Sequence, residues 1–154
     1  MIEMELSRII ISETTDEQVI VLREVGGGRA FPIVIGIWEA LSIDRGIKGR
    51  KTPRPMTHDL IGQVIEGLDA NLERVVITEL RDRTFFANLV LRRNGDLVEV
   101  DSRPSDAIAL AVIKRAPIFV SEQVLSEAKA EAAAGAPPPP ETEVEPDEDE
   151  DDEI

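Results

Sequence analysis

Two short segments set out arginine, proline, a hydroxyl and aspartate in about the same order: Arg54-Pro55-Met56-Thr57-His58-Asp59-Leu60 and Asp101-Ser102-Arg103-Pro104-Ser105-Asp106-Ala107. Each precedes a helical apolar pattern, so each falls at a helix N-terminus, where unpaired backbone N–H groups and the helix dipole suit an anion such as phosphate. His58 is the only histidine, and imidazole is the side chain best fitted to proton transfer near neutral pH. Taken singly, each segment has an ordinary structural reading. Thr57 and Asp59 would cap one helix, Ser105 and Asp106 would support the next, and the arginines would pair with nearby carboxylates. The repetition of the same set of groups is what points beyond this, to two segments lining one cleft.

The elements that must position these segments can be read from apolar periodicity. Residues 4–12 and 18–25 are rich in β-branched side chains and are separated by the turn formers Glu13, Thr14, Thr15 and Asp16, which predicts a hairpin. Gly26, Gly27 and Gly28 lead to a third strand over 30–35, whose Pro32 favours an edge. These glycines read as a turn, since no helix follows directly and the lysine of a phosphate-binding loop is missing. Ile37, Leu41 and Ile47, with Trp38 and Ala40 beside them, approximate the stripe of a first helix. The basic, proline-containing stretch 48–56 cannot continue it and reads as an exposed loop. With Thr57 as N-cap, a second helix is expected from His58 to about Asp69, with Leu60, Ile61, Val64, Ile65 and Leu68 as its apolar face.

Strands over 72–80 and 84–92 follow, and Asn94-Gly95, a strong hairpin signal, joins them to a strand at 97–100. Pro104 fits the first position of a third helix, which stops before Pro117. Residues 118–120 predict a short strand, and Ser121 caps a last helix from Glu122 to about Ala133. Both halves contain three strands and then a helix bearing an acidic-Ala-apolar-small-apolar string, Glu39-Ala40-Leu41-Ser42-Ile43 and Asp106-Ala107-Ile108-Ala109-Leu110. A duplicated, two-lobed α+β domain is the architecture this predicts.

Composition bounds what such a domain can do. The 154 residues suit one domain, expected over 1–130, and residues 131–154 form a Pro-rich acidic tail expected to be disordered. The tail holds eleven of the 31 acidic side chains and none of the 17 basic ones, so the net charge of −14 is mostly the tail's. The remaining near-neutral domain lacks the broad basic footprint of a protein that grips long nucleic acid. With no cysteine, disulfides, thiolate metal sites and thiol nucleophiles are excluded. No charged leader and no bilayer-length apolar run is seen, which predicts a cytoplasmic protein without membrane contact.

The stretches "GIWEALSI", "RPMTHDL", "TFFANLVL" and "VDSRPSDAIALAV", followed by "PIFVSEQVL", resemble the bifunctional nuclease domain family over roughly residues 5–130, in order and spacing. The resemblance implies an α+β fold of duplicated β-α-β-β type units with mixed sheets and three to four helices, a tendency to self-associate, and hydrolysis of phosphodiester bonds in RNA or DNA. Such cleavage needs an activated water, stabilised charge on phosphoryl oxygens and help for the leaving group. On this reading His58, Asp59 and Asp106 are the catalytic candidates, with His58 as general base or acid. Arg54, Thr57, Arg103 and Ser105 would bind substrate phosphate, and Glu39, Asp59, Asp101 and Asp106 would hold Mg²⁺ or Mn²⁺. The alternative is a non-catalytic oligomeric binding or regulatory module. A homodimer or larger closed oligomer is expected in either case, because a hairpin-rich sheet leaves open edges and Ile9, Ile10 and Ile11 make both faces of the first strand apolar.

Overall fold

The computed structural model describes residues 1–134. Its elements are β1 (Ile2–Ile10), β2 (Glu17–Glu24), β3 (Ala30–Gly36), α1 (Ile37–Ile47), α2 (Thr57–Gly67), β4 (Ala70–Arg81), β5 (Thr84–Arg93), β6 (Asp96–Ser102), α3 (Pro104–Lys114), β7 (Ile118–Val120) and α4 (Glu122–Ala134). Helix α4 thus runs past residue 130, and the tail predicted from 131 lies, from 135 onward, outside the described residues.

Four helices and one seven-stranded mixed sheet make an α+β fold. The strand order β3-β2-β1-β7-β4-β5-β6 sets two antiparallel three-stranded meanders on either side of the short β7. β7 runs antiparallel to β1 and parallel to β4. Each half reads strand-strand-strand-helix, the order predicted from the chain. The sheet also curls strongly. β3 and β5 are five strands apart in the order, roughly 24 Å in a flat sheet, yet the Phe31 and Phe85 rings stack at 5.6 Å between centroids.

The expectation for the first strand needs correction. β1 is interior, paired to β2 on one side and β7 on the other, so its apolar residues serve the core and not an open edge. The edges are β3, blunted by Pro32, and β6. Two helical faces are also corrected. In α1 the buried residues are Ala40, Ser42 and Ile43, while Trp38, Leu41 and Ile47 are exposed. In α2 Ile65 is buried and Ile61 packs on the core, but Leu60, Val64 and Leu68 face outward. Among the described residues no helix is long and apolar enough to cross a membrane.

α3 is the hub of the helical side, packing against both α1 and α2. Ala107, Ala109 and Ala111 are buried on it, and their small side chains let the neighbours approach. A Cβ on Gly46 of α1 would already lie 3.0 Å from Val112 Cγ1 of α3. This close packing brings the starts of three helices together.

Candidate functional site

Three helix starts contribute the polar groups that meet at the top of α3. Arg103 is the N-cap of α3 and Pro104 its first residue, which places Asp106 at the third helical position. Gly36 is the N-cap of α1, which places Glu39 at the corresponding position. The two acids are also equivalent in the internal repeat, and both bind one guanidinium. Arg103 Nε donates to Asp106 Oδ2 at 2.8 Å, and Nη2 donates to Glu39 Oε1 at 2.9 Å and to Asp106 Oδ1 at 3.2 Å. Gly36 permits this arrangement, because a Cβ there would stand 2.5 Å from Glu39 Oε2.

His58 approaches from α2. This helix starts one residue earlier than predicted: Met56 is the N-cap, Thr57 the first residue and His58 the second. The residue is 7% exposed, because α2 turns this face toward α1 and α3. Both ring nitrogens are engaged. Nδ1 lies 2.6 Å from Ser42 Oγ of α1, and Nε2 lies 2.9 Å from Asp106 Oδ1. Facing an acceptor-only carboxylate, Nε2 carries the hydrogen, and a neutral ring then receives the Ser42 hydroxyl hydrogen at Nδ1. The chain of contacts is Ser42, His58, Asp106, Arg103, Glu39, crossing all three helices.

Burial alone would raise the Asp106 carboxyl, but hydrogen bonds from Arg103 and His58 outweigh it and hold the group below the ordinary carboxylate value. The same pairing with Asp106, and then Glu39, pushes the Arg103 guanidinium up. Asp106 is therefore an anion at neutral pH. No buried side-chain nitrogen or oxygen among the described residues lacks a hydrogen-bond partner.

The remaining candidates do not converge on this network. Asp59 Oδ2 accepts the Met56 backbone N–H at 3.0 Å and closes the first turn of α2. Asp101 is exposed on β6, in register with Asn88 of β5. Arg54 and Thr57 are exposed before and at the start of α2. Ser105 is buried beside Arg103, and both line an open groove of about 620 Å³ with Arg83, Phe85 and residues 32–36 of β3. Asp16, Glu17 and Glu131 line it too, so its charge is mixed.

For a metal, the fit is partial. Among the described residues no group of three or more His, Asp or Glu side chains is arranged to hold an ion. What exists is the Glu39 and Asp106 pair, already bridged by a guanidinium.

Two residues escaped the sequence reading. Ser42 sits inside the repeated string, opposite Ala109 in the other half, and that polar-for-small difference was its one signal. Trp38, the only tryptophan, is 78% exposed beside Glu39. Its place in an apolar pattern hid it. Ser42, His58 and Asp106 have the residue types of a hydrolase triad, but Ser42 is 5% exposed in a helix interior and cannot meet a substrate.

The model of a domain described as "Bifunctional nuclease domain" matches residues 20–133. An uncharacterized protein of Mycobacterium tuberculosis is 40% identical over 126 residues, covering 82% of this chain and 75% of that protein. Bifunctional nuclease 2 of Oryza sativa subsp. japonica is 30% identical over 114 residues, covering 71% of this chain and 35% of its own length. Bifunctional nuclease 2 of Arabidopsis thaliana is 26% identical over 107 residues, 68% of this chain and 32% of its own.

Proposed function

The chain belongs to the bifunctional nuclease domain family, and on that premise we propose that it hydrolyses phosphodiester bonds of single-stranded RNA or DNA at the Arg103, Asp106 and Glu39 cluster. The observation that carries this reading is one arginine, 65% exposed, held between two carboxylates from two equivalent helix starts. Such a guanidinium is oriented in advance for bidentate contact with a phosphate. When phosphate takes its donors, the carboxylates lose their partner and become available as bases. Asp106 is the better placed of the two to accept a proton from water, because His58 Nε2 keeps one of its oxygens fixed.

His58 is then a positioning residue. Its nitrogens are both occupied, so it orients Asp106 and steadies its charge without touching substrate. Trp38 adds an exposed ring for a nucleobase, which suits single strands, where bases are free to stack. Arg54 and Thr57, exposed before and at the start of α2, are the further groups offered to a phosphate, whereas Ser105 is buried and serves α3. Mg²⁺ or Mn²⁺, which binds through one or two carboxylates, waters and substrate oxygens, would use Glu39 and Asp106 and supply charge neutralisation at the phosphoryl group.

A second reading, a non-catalytic binding or regulatory module, is favoured by the lack of a free nitrogen on His58. A cleavage assay on labelled single-stranded RNA and DNA, with Mn²⁺ and with excess chelator, separates the two. Arg103→Ala is expected to lower kcat/KM about 100-fold, the scale for loss of a charge-stabilising donor. Trp38→Ala should raise KM with little change in kcat. Binding without turnover in the intact protein, or full activity in the Arg103 variant, would refute the nuclease reading.

A further inference from the structure

The edge of the sheet at β6 is uninterrupted and uncovered. β6 pairs with β5 through seven consecutive residues without a bulge, whereas β1 against β2 and β4 against β5 each carry register shifts. All its residues from Asp96 to Asp101 are exposed, among them Leu97, Val98 and Val100 at 48%, 43% and 40%. The strand holds three acids, Asp96, Glu99 and Asp101, and no base. None of the three carboxylates forms an ion pair or hydrogen bond among the described residues. The neighbouring bases are engaged elsewhere, Arg92 with Glu73 and Arg103 with Glu39 and Asp106. Arg93 stands opposite Asp96, so the acidic character is strongest at Glu99 and Asp101.

Backbone geometry fixes which groups this edge offers. Asn94 and Gly95 both have positive φ, 51° and 83°, the mark of a two-residue hairpin turn, so Arg93 and Asp96 make the hydrogen-bonded pair that closes it. Bonded and non-bonded pairs alternate along an antiparallel ladder. Val98 and Val100 therefore bond inward to β5, while the N–H and C=O groups of Leu97, Glu99 and Asp101 point away from it. Side chains alternate too, so Glu99 and Asp101 share one face with Leu97, and Val98 and Val100 share the other. We propose that β6 receives an extended segment of another protein as a further strand, with lysine or arginine opposite Glu99 and Asp101 and apolar side chains beside Val98 and Val100.

Charge selects this occupant over the others. A nucleic-acid strand would meet carboxylates that no base neutralises, and residues 135–154 carry ten acids and no base. A second copy paired antiparallel through its own β6 would bring the same carboxylates together, and like charges placed opposite one another destabilise a sheet. The other sheet edge, β3, has no base to offer and carries Pro32.

The probe is a synthetic peptide of alternating lysine and valine, seven residues long to match β6, added to the full chain while amide hydrogen exchange is followed residue by residue. At saturation, exchange at Leu97, Glu99 and Asp101 should slow by about tenfold or more, with little change at Val98 and Val100. The same peptide with glutamate for lysine should have no effect. Glu99→Lys should weaken binding about tenfold, as an attractive cross-strand pair becomes repulsive. Glu99→Pro, which removes an outward N–H and spares the bonds to β5, should abolish it. Unchanged rates at β6, as when peptide is held only by the acids of residues 135–154, would overturn the proposal. So would equal slowing by the glutamate peptide, undiminished binding by Glu99→Lys, or slowing with protein concentration alone, which would seat a second copy at the edge. Exchange is read without regard to cleavage, so the nuclease reading stands or falls on its own assay.

Discussion

Single residues in this domain matter through the partners they hold. Asp106 touches Arg103 and His58, and its carboxyl is held below the ordinary value, so it contributes stability that is full above the unfolded carboxylate pKa of about 4 and lost as pH falls through its lower folded value. Asp106→Asn should therefore be less stable than wild type at pH 6 to 7, with the gap closing below about pH 4. Denaturant titrations at each pH measure this, and a gap that widens in acid would contradict the sign. His58→Ala removes a buried ring that ties α1 to α3, and should cost on the order of 2–3 kcal/mol, because Ser42 and Asp106 each lose a partner. Gly36→Ala is expected to behave in the opposite way. Its Cβ displaces only the flexible end of Glu39, so stability should hold within about 0.5 kcal/mol while the Glu39 to Arg103 contact is lost. Cleavage, not melting, would then report the change.

At the scale of elements, one ring pair spans the curl of the sheet, and one arginine ties the start of α4 to the sheet beside the buried Val124, Leu125 and Ala128 that seat the helix on the core. The stacked rings of Phe31 and Phe85 join β3 to β5 across the open side of the curl. Phe31 is 1% exposed, so Phe31→Ala should cost about 3–5 kcal/mol in denaturant titration. Arg29, just before β3, binds Glu24 of β2 and Glu122 of α4, and its pairing holds both carboxyls below their ordinary values. Arg29→Ala should leave the sheet intact and speed amide exchange in α4 selectively. Uniform acceleration across β1, β2 and β7 would show instead that the contact supports the whole fold. Elements were also the most legible level. Turn chemistry, Pro104 at the first position of α3 and the Ser121 cap of α4, where Ser121 Oγ accepts the Val124 N–H at 3.1 Å, are local effects that sequence records directly.

For the whole molecule, charge is the property most open to test. Residues 135–154 carry ten acidic side chains and no basic one. Deleting them should tighten binding of short single-stranded RNA at low ionic strength, with the difference shrinking as the screening length falls from about 10 Å at 0.1 M salt toward 3 Å at 1 M. Equal binding by full-length and truncated chains at low salt would limit the segment to a solubility role.

The strands, the four helices, the duplicated order and the family were legible before any fold was seen, because each rests on local periodicity, turn residues or a long string of matched positions. The sequence also singled out the two helix starts that hold Arg103, Asp106 and His58. What it left open was which face of each helix meets the core. A stripe such as Leu60, Val64 and Leu68 looks the same in sequence whether α3 or solvent lies beneath it, and only packing around α3 turned Ile65 inward and Leu60 outward. The same packing decided that Ser42 and Glu39 join the cluster while Asp59 and Asp101 do not. Bringing a side chain within 3 Å of another depends on the crossing of three helices whose contacts span dozens of residues, and no local pattern encodes that distance.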